Sequence, residues 1–322
     1  MPSVLVAPDS FKGTFTAFEV AEALAGGFES EGWSADRCPR ADGGEGTGAV
    51  LLAALGGDTV AIEATDPLGR SIDAVYRLLG DGTTAVVEVA EASGLGRLAE
   101  DELDPLAATS RGTGELIVAA AREAAVVLVA VGGSATNDGG LGALEAISEA
   151  GGLDGTRIVC LCDVTTPWEH ASRLFGPQKG ADDAAVVKLE ARLDRLALEL
   201  VRDPRTVPGS GAAGGLAGGL WAALGAELWP GAAYVCDAVG IDKRIERVDL
   251  VIGAEGKLDV TTLEGKVLAE LSSRCIRAGK PLAAVVGHAA SRPELCAALG
   301  LSSVVEAGDA TGLRAAALSL AG

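Results

Sequence analysis

The sequence is poor in aromatic residues, in histidine and in positive charge. Aromatics make up 3% of its 322 positions, and none are interleaved with basic residues as a base-stacking platform, which argues against a nucleic-acid binder. The formal net charge of −19 at pH 7 argues the same way, and also against anionic membrane surfaces. No apolar run approaches the roughly 18 residues needed to span a bilayer. The first residues lead straight into a strand, without a basic region, apolar stretch and cleavage site, so a cytoplasmic protein is expected. The six cysteines form no C-x-x-C pair. Cys160 and Cys162 alternate in a strand-like run and share one face; they are expected as small core residues in a reducing compartment, not as zinc ligands. Only two histidines occur, His170 and His288, with no G-x-S-x-G elbow for a Ser/His/Asp hydrolase. Neither a Walker A sequence nor the protein-kinase motif set is present.

Lysine is scarce, with seven in the chain, yet Lys12, Lys179, Lys257 and Lys266 each sit directly beside a glycine. Solvated charges would fall mostly on helix faces, so this pattern favours anion-binding loops.

Hydrophobic residues make up 48% of the chain, enough for a large core and two domains. Strand and helix patterns alternate from the start, which predicts parallel sheet. Val4 to Ala7 reads as a buried strand ended by Pro8, with Asp9, Ser10, Lys12 and Gly13 in the following loop. Thr14 or Thr16 can cap the next helix. In open α/β sheets, ligands bind at such strand ends.

Similar acid-bearing, glycine-rich loops recur. A-D-G-G-E-G-T-G carries Asp42, Gly43 and Gly44. The apolar run Val126 to Val131 ends in G-G-S-A-T-N-D-G-G, which carries Ser134, Thr136, Asn137 and Asp138. Asp163 follows another strand, Lys179 lies in F-G-P-Q-K-G, and Glu255 and Asp259 lie in G-A-E-G-K-L-D. Glycine turns at helix starts can form concave anion sites. Carboxylates, lysines and glycine nests together suit phosphoryl transfer: acids for Mg²⁺, cations for the phosphoryl oxygens, and one acid for the hydroxyl proton. Gly209, Gly211 and Gly214 have the spacing of a dinucleotide fingerprint, but R-D-P-R-T-V-P before them is a poor strand. A tightly packed helix start, with N–H groups facing a phosphate, is the better reading. The residues alone lead to an α/β enzyme acting on a small anion, a nucleotide-dependent kinase of unusual type being one candidate.

Six of these segments, in order, resemble the bacterial glycerate kinase family. They are A-P-D-S-F-K-G, D-G-G-E-G-T, G-G-S-A-T-N-D-G-G, F-G-P-Q-K-G-A, P-G-S-G-A-A-G-G-L and the G-x-E-G-K-L-D segment, spanning nearly the whole chain. The resemblance implies ATP- and Mg²⁺-dependent phosphorylation of glycerate, D-glycerate being expected, with 2-phosphoglycerate the usual product. It implies two α/β domains. One is a flavodoxin-like (Rossmann-like) parallel-sheet domain, placed at 1–62 plus 245–322; the other, at 63–244, is inserted in it. Glycerate and ATP are the expected partners, and a homo-oligomer is compatible with the sequence. Carried over by motif, Lys12 and Lys179 steady the transferring phosphoryl group, and Asp42 or Asp138 accepts the hydroxyl proton. Asp9, Ser10, Gly43, Gly44, Ser134, Thr136, Asn137, Gly211 and Gly214 bind substrate or phosphate, and Glu255 and Asp259 hold Mg²⁺.

The chain departs from the family by shortened stretches at 140–162 and 163–175, by Thr166 before Pro167 where the family has Asn, and by Lys257 and Thr261 in place of the usual Arg and Gln. Two rival readings are a nicotinamide-dependent dehydrogenase of a small hydroxy acid, resting on Gly209, Gly211 and Gly214, and a catalytically inactive metabolite-binding homologue.

Overall fold

The computed structural model describes residues 1–162, 164–259, 262, 266–289 and 293–322. Asp163 and Thr261, singled out above, lie outside these, as does Glu264. The described strands are β1 (Ser3–Pro8), β2 (Ser34–Arg37), β3 (Gly57–Thr65), β4 (Ser71–Leu79), β5 (Thr84–Glu88), β6 (Val126–Ala130), β7 (Arg157–Cys162), β8 (Glu227–Pro230), β9 (Leu250–Leu258), β10 (Leu282–Ala289) and β11 (Leu301–Glu306). The chain divides into two α/β units, Met1–Asp42 with Ala232–Gly322, and Gly43–Gly231.

The first unit holds a five-stranded sheet in the order β11-β10-β9-β1-β2, with every neighbouring pair parallel. Numbered within the unit, the order is second, first, third, fourth, fifth. That is the flavodoxin-like order, whose topological switch point lies between its first and third strands, here β1 and β9. The helix Ala17–Ser30 starts at Thr16, one of the two threonines anticipated. The Thr16 hydroxyl accepts from Glu19 N at 3.2 Å while the Glu19 carboxylate accepts from Thr16 N at 2.8 Å, a reciprocal cap. Its apolar stripe of Val20, Ala21, Leu24 and Phe28 joins Val4 and Val6 of β1 in one core. Gly27 is required where the C-terminal helix Ala310–Ala321 crosses, because a Cβ there would lie 2.5 Å from that of Ala317.

The second unit is a six-stranded sheet in the order β3-β4-β5-β6-β7-β8. Its pairs from β5 to β8 are parallel, but β3–β4 and β4–β5 are antiparallel. The parallel sheet expected from the alternation of strands and helices holds in the first unit and from β5 to β8, and β3 and β4 add an antiparallel edge. β3 and β4 are joined by the short turn D-P-L-G-R, in which Asp66 Oδ1 accepts from the N–H groups of Leu68 and Arg70, each at 2.9 Å. So short a connection allows only antiparallel pairing. Residues 43–62, grouped with the first domain on sequence, make their contacts in the second unit, because β3 is the full-length partner of β4. Residues 232–244 fall with the first unit. Cys160 and Cys162 lie in the core of the second unit, as their alternation suggested. Among the described residues, no helix is long and apolar enough to cross a membrane.

Candidate functional site

In the first unit, the switch point opens into a cavity of about 460 Å³. Asp9, Ser10 and Lys12 reach it from the loop after β1, Asp42 from the loop after β2, and Glu255, Gly256 and Lys257 from the end of β9. Four predicted site residues of the first loops, and one of the two predicted metal ligands, therefore meet in one place. Asp9 Oδ1 accepts from Ser10 N at 2.7 Å, and Lys12 Nζ stands 3.8 Å from Asp42 Oδ2. Burial, and next the neighbouring Asp42 carboxylate, push Asp9 up to about 8. Burial likewise pushes Glu255 up to about 7, against the opposing hydrogen bond of 2.8 Å from the Thr262 hydroxyl. Crowded acids of this kind favour a proton or a bound cation. Asp259, the other predicted metal ligand, pairs with Lys257 at 3.0 Å. Lys266, Gly287, His288 and Gly308 also line the cavity and were not assigned to the site on sequence. On sequence His288 is only one of two histidines; its place at the end of β10, opposite Lys257, emerges only when β10 pairs with β9.

Among the described residues, no group of three or more His, Cys, Asp or Glu is arranged to hold a metal ion. Mg²⁺ characteristically keeps its waters and takes one or two carboxylates plus substrate phosphates. Hard carboxylate oxygens in an acid-crowded cavity fit that mode of binding.

In the second unit, Lys179 is buried and its Nζ donates to Ser134 Oγ at 2.8 Å and to Thr136 O at 2.6 Å. Burial pulls the ammonium down to about 7, with Asp138 acting the other way. Among the described residues, Thr136 Oγ1 and both amide atoms of Asn137 are buried without a hydrogen-bond partner. Orphaned polar groups of this kind carry a large desolvation cost unless something fills their needs.

Asp138 is placed differently from these neighbours. Its Oδ2 accepts from Ser110 N and Ser110 Oγ, both at 2.8 Å, and from Gly142 N at 3.2 Å, while Oδ1 accepts from Gly140 N at 3.0 Å. It therefore satisfies the start of the helix Leu141–Glu149 and ties it to Ser110, which leaves little capacity for proton transfer. Glu88 does the same for the loop that carries Gly43 and Gly44. It accepts from Gly48 N at 2.6 Å and Gly46 N at 3.1 Å, at the start of the helix Thr47–Leu55. Nothing local in the sequence could have shown Glu88, which lies at the end of β5 about forty residues away.

The glycines are largely explained by close backbone approach. A Cβ at Gly214 (φ +64°) would fall on Thr136 O, and one at Gly211 would lie 2.6 Å from Pro167 O. One at Gly43 (φ +97°) would lie 2.7 Å from Leu161 O, and one at Gly132 would lie 2.5 Å from the Cα of Gly44. The segment before Gly209 is built of turns, without the strand a dinucleotide fingerprint requires.

The family model described as the Glycerate kinase family matches residues 4–150 and 148–320. The chain belongs to the glycerate kinase family. The two matched stretches meet at 148–150, inside the 140–162 stretch, where the helix Leu141–Glu149 runs through a tight turn at Gly151, Gly152 and Gly155 into β7. Family relatives include the glycerate 2-kinase of Escherichia coli, 38% identical over 323 residues covering 88% of this chain and 84% of the relative. A glycerate kinase of Halalkalibacterium halodurans is 34% identical, covering 89% of this chain and 86% of the relative. A crystal structure from Salmonella typhimurium LT2, whose description names glycerate kinase 2, matches with a TM-score of 0.82 at 33% identity. That match covers 99% of this chain and 97% of the solved chain.

Proposed function

We propose that the protein phosphorylates D-glycerate with ATP, giving 2-phosphoglycerate, in the cytoplasm. The observation that carries this reading is the gathering of Asp9, Ser10, Lys12, Asp42 and Glu255 in one cavity at the switch point of the flavodoxin-like sheet. Family membership supports the kinase reading. The six free thiols suit a reducing compartment.

Asp42, buried beside Lys12 in the cavity it lines with Asp9 and Glu255, is proposed as the base that accepts the proton of the glycerate hydroxyl. Lys12, largely exposed on its loop, is positioned to follow and offset charge on the transferring phosphoryl group. Glu255 and Asp259 would hold Mg²⁺, directly or through water, and the ion would supply charge neutralisation on the phosphate oxygens. Within the second unit, Ser134, Thr136, Asn137 and Lys179 are proposed to hold a small acid or a phosphate, which would give the Asn137 and Thr136 atoms partners. Asp138 is left with a supporting role by its four accepted hydrogen bonds.

The test is ATP turnover by the purified protein with D-glycerate and Mg²⁺, with phosphorus NMR of the product. Turnover with a phosphorus coupled to the C2 proton supports the reading. Coupling to the C3 protons overturns the product assignment, and binding without turnover supports the inactive metabolite-binding homologue. Tight NADH binding would favour the dehydrogenase reading, which the missing strand before Gly209 disfavours.

A further inference from the structure

The first unit buries an arginine that no carboxylate meets. Arg40 follows β2 in the segment Cys38-Pro39-Arg40 and is 0% exposed. Its backbone N–H donates to Pro8 O at 2.8 Å, which sets residue 40 beside the end of β1. Its Nη2 donates to the Sγ of Cys236, in the helix Gly231–Ala238. Among the described residues, Nε and Nη1 are buried without a hydrogen-bond partner, and no carboxylate lies within ion-pair distance.

Arg274, on the helix Val267–Ala278, shows what Arg40 lacks. It is 6% exposed, and Glu270, Asp237 and Asp242 meet it at 2.7, 2.7 and 3.1 Å. A guanidinium stays charged inside a protein, and a buried charge with no counter-charge is strongly destabilising. The acidic group that Arg40 touches is the Cys236 thiol, which is itself 0% exposed.

Three thiols surround this guanidinium, those of Cys38, Cys236 and Cys275, and burial pushes all three up. Arg40 and Arg274 oppose burial at Cys236, whereas Glu270 and Asp237 act with it. Contact separates Cys236 from the other two, because it alone accepts a hydrogen bond from Arg40. Ionising an ordinary thiol at neutral pH is unfavourable by about tenfold or somewhat more. That is a smaller cost than leaving a buried guanidinium uncompensated, and thiols beside arginine ionise more readily.

We infer that Cys236 is a thiolate in the folded protein, paired with Arg40, and that this buried pair positions Asp42, two residues further on. The thiol proton passes to solvent as the chain folds. Arg40 is then held twice, by its backbone on Pro8 and by its side chain on Cys236, and the loop that presents Asp42 to the cavity is anchored. The positioning role rests on the reading of Asp42 as the base; the ion pair does not.

The test begins with the ultraviolet difference spectrum of the full chain, wild type minus Cys236→Ser, in the band where a thiolate absorbs and a thiol does not. At about pH 7, where ordinary thiols are mostly protonated, the difference should equal one thiolate and vanish in urea. No difference, or one that survives unfolding, overturns the pair. A wild-type protein without the thiolate signal whose melting temperature rises with added chloride overturns it too, and places an external anion on Arg40. For positioning, Cys236→Ser should speed amide hydrogen exchange at residues 39–44 and lower kcat about tenfold, with KM for ATP and D-glycerate unchanged. Cys236→Asp returns an anion to Arg40 and should restore both, although serine is the closer match to cysteine in size. Rescue by serine and not by aspartate would show a packing role and overturn the inference. A thiolate signal with unaltered exchange and kcat in Cys236→Ser overturns the positioning role. A wild-type protein that does not turn over glycerate overturns the kinase reading, and the spectrum and the exchange at 39–44 then decide the inference by themselves.

Discussion

Lys179 Nζ donates to Ser134 Oγ at 2.8 Å inside the second unit, and no carboxylate is within ion-pair distance of it among the described residues. A buried ammonium held by a hydroxyl and a carbonyl is costly to charge. Its folded-state value, about 7, lies below the ordinary value of 10.5. Between the two, the unfolded chain binds more protons, so stability from this group rises with pH, and the penalty is fully present below about 7. Lys179→Met removes the titration along with the hydrogen bonds. Urea unfolding at about pH 6 and about pH 9.5 should show the variant gaining on the wild type at the lower pH, on the order of 1–3 kcal/mol. Parallel pH dependence would show that Lys179 does not titrate in the folded state.

Asp9 works with the opposite sign of charge. Its folded value, about 8, lies above the ordinary 3.8. Ionising it therefore weakens the fold increasingly as pH rises from about 4 to about 8, and the full cost is present above about 8. Asp9→Asn is expected to stabilise the protein at pH 8.5 by on the order of 1–3 kcal/mol and to leave it unchanged near pH 4. A thermal melt at each pH checks this, and equal effects at both would contradict the crowding of the acids.

Asp42 and Asp138 are separated by what surrounds them. Asp42→Asn should lower kcat by about 10²–10⁴-fold with little loss of stability, as expected for a general base. Asp138→Asn should cost about 2–4 kcal/mol of stability, because an amide cannot accept all of the hydrogen bonds from Ser110, Gly140 and Gly142. Denaturant midpoints measured beside kcat distinguish the two. A stable, inactive Asp138→Asn protein would move the base back to Asp138.

Gly214→Ala tests the packing of the glycine loops. Residue 214 has φ +64°, and its added methyl would fall on Thr136 O. The substitution should cost about 3 kcal/mol or more, read from urea unfolding. A near-neutral result would mean that the loop at 132–140 can move aside.

Local patterns were sufficient for much of the fold. The strand Val4–Ala7, the cap at Thr16, the buried run at Val126 and the shared face of Cys160 and Cys162 depend on periodicity and turn chemistry a few residues long. β8 and β11 were not legible, because they are edge strands with few buried side chains, whereas β4 carries the polar–apolar alternation of a half-buried strand around Ala74 and Tyr76 and only its pairing shows which sheet it joins. The grouping of residues 43–62 was hidden for the same reason, since it depends on β4 pairing with β3.

By itself the sequence determined which residues could do chemistry, since acids, lysines and glycines at strand ends are set by composition and local turns. Only the tertiary structure decided what surrounds each of them. Asp42 and Asp138 follow similar glycine-rich motifs. Chain segments remote in sequence leave Asp42 lining a cavity with Asp9 and Glu255, and surround Asp138 with Ser110, Gly140 and Gly142. Proton affinity and hydrogen-bonding capacity depend on those surroundings, and burial and neighbouring charge come from the packing of the whole unit.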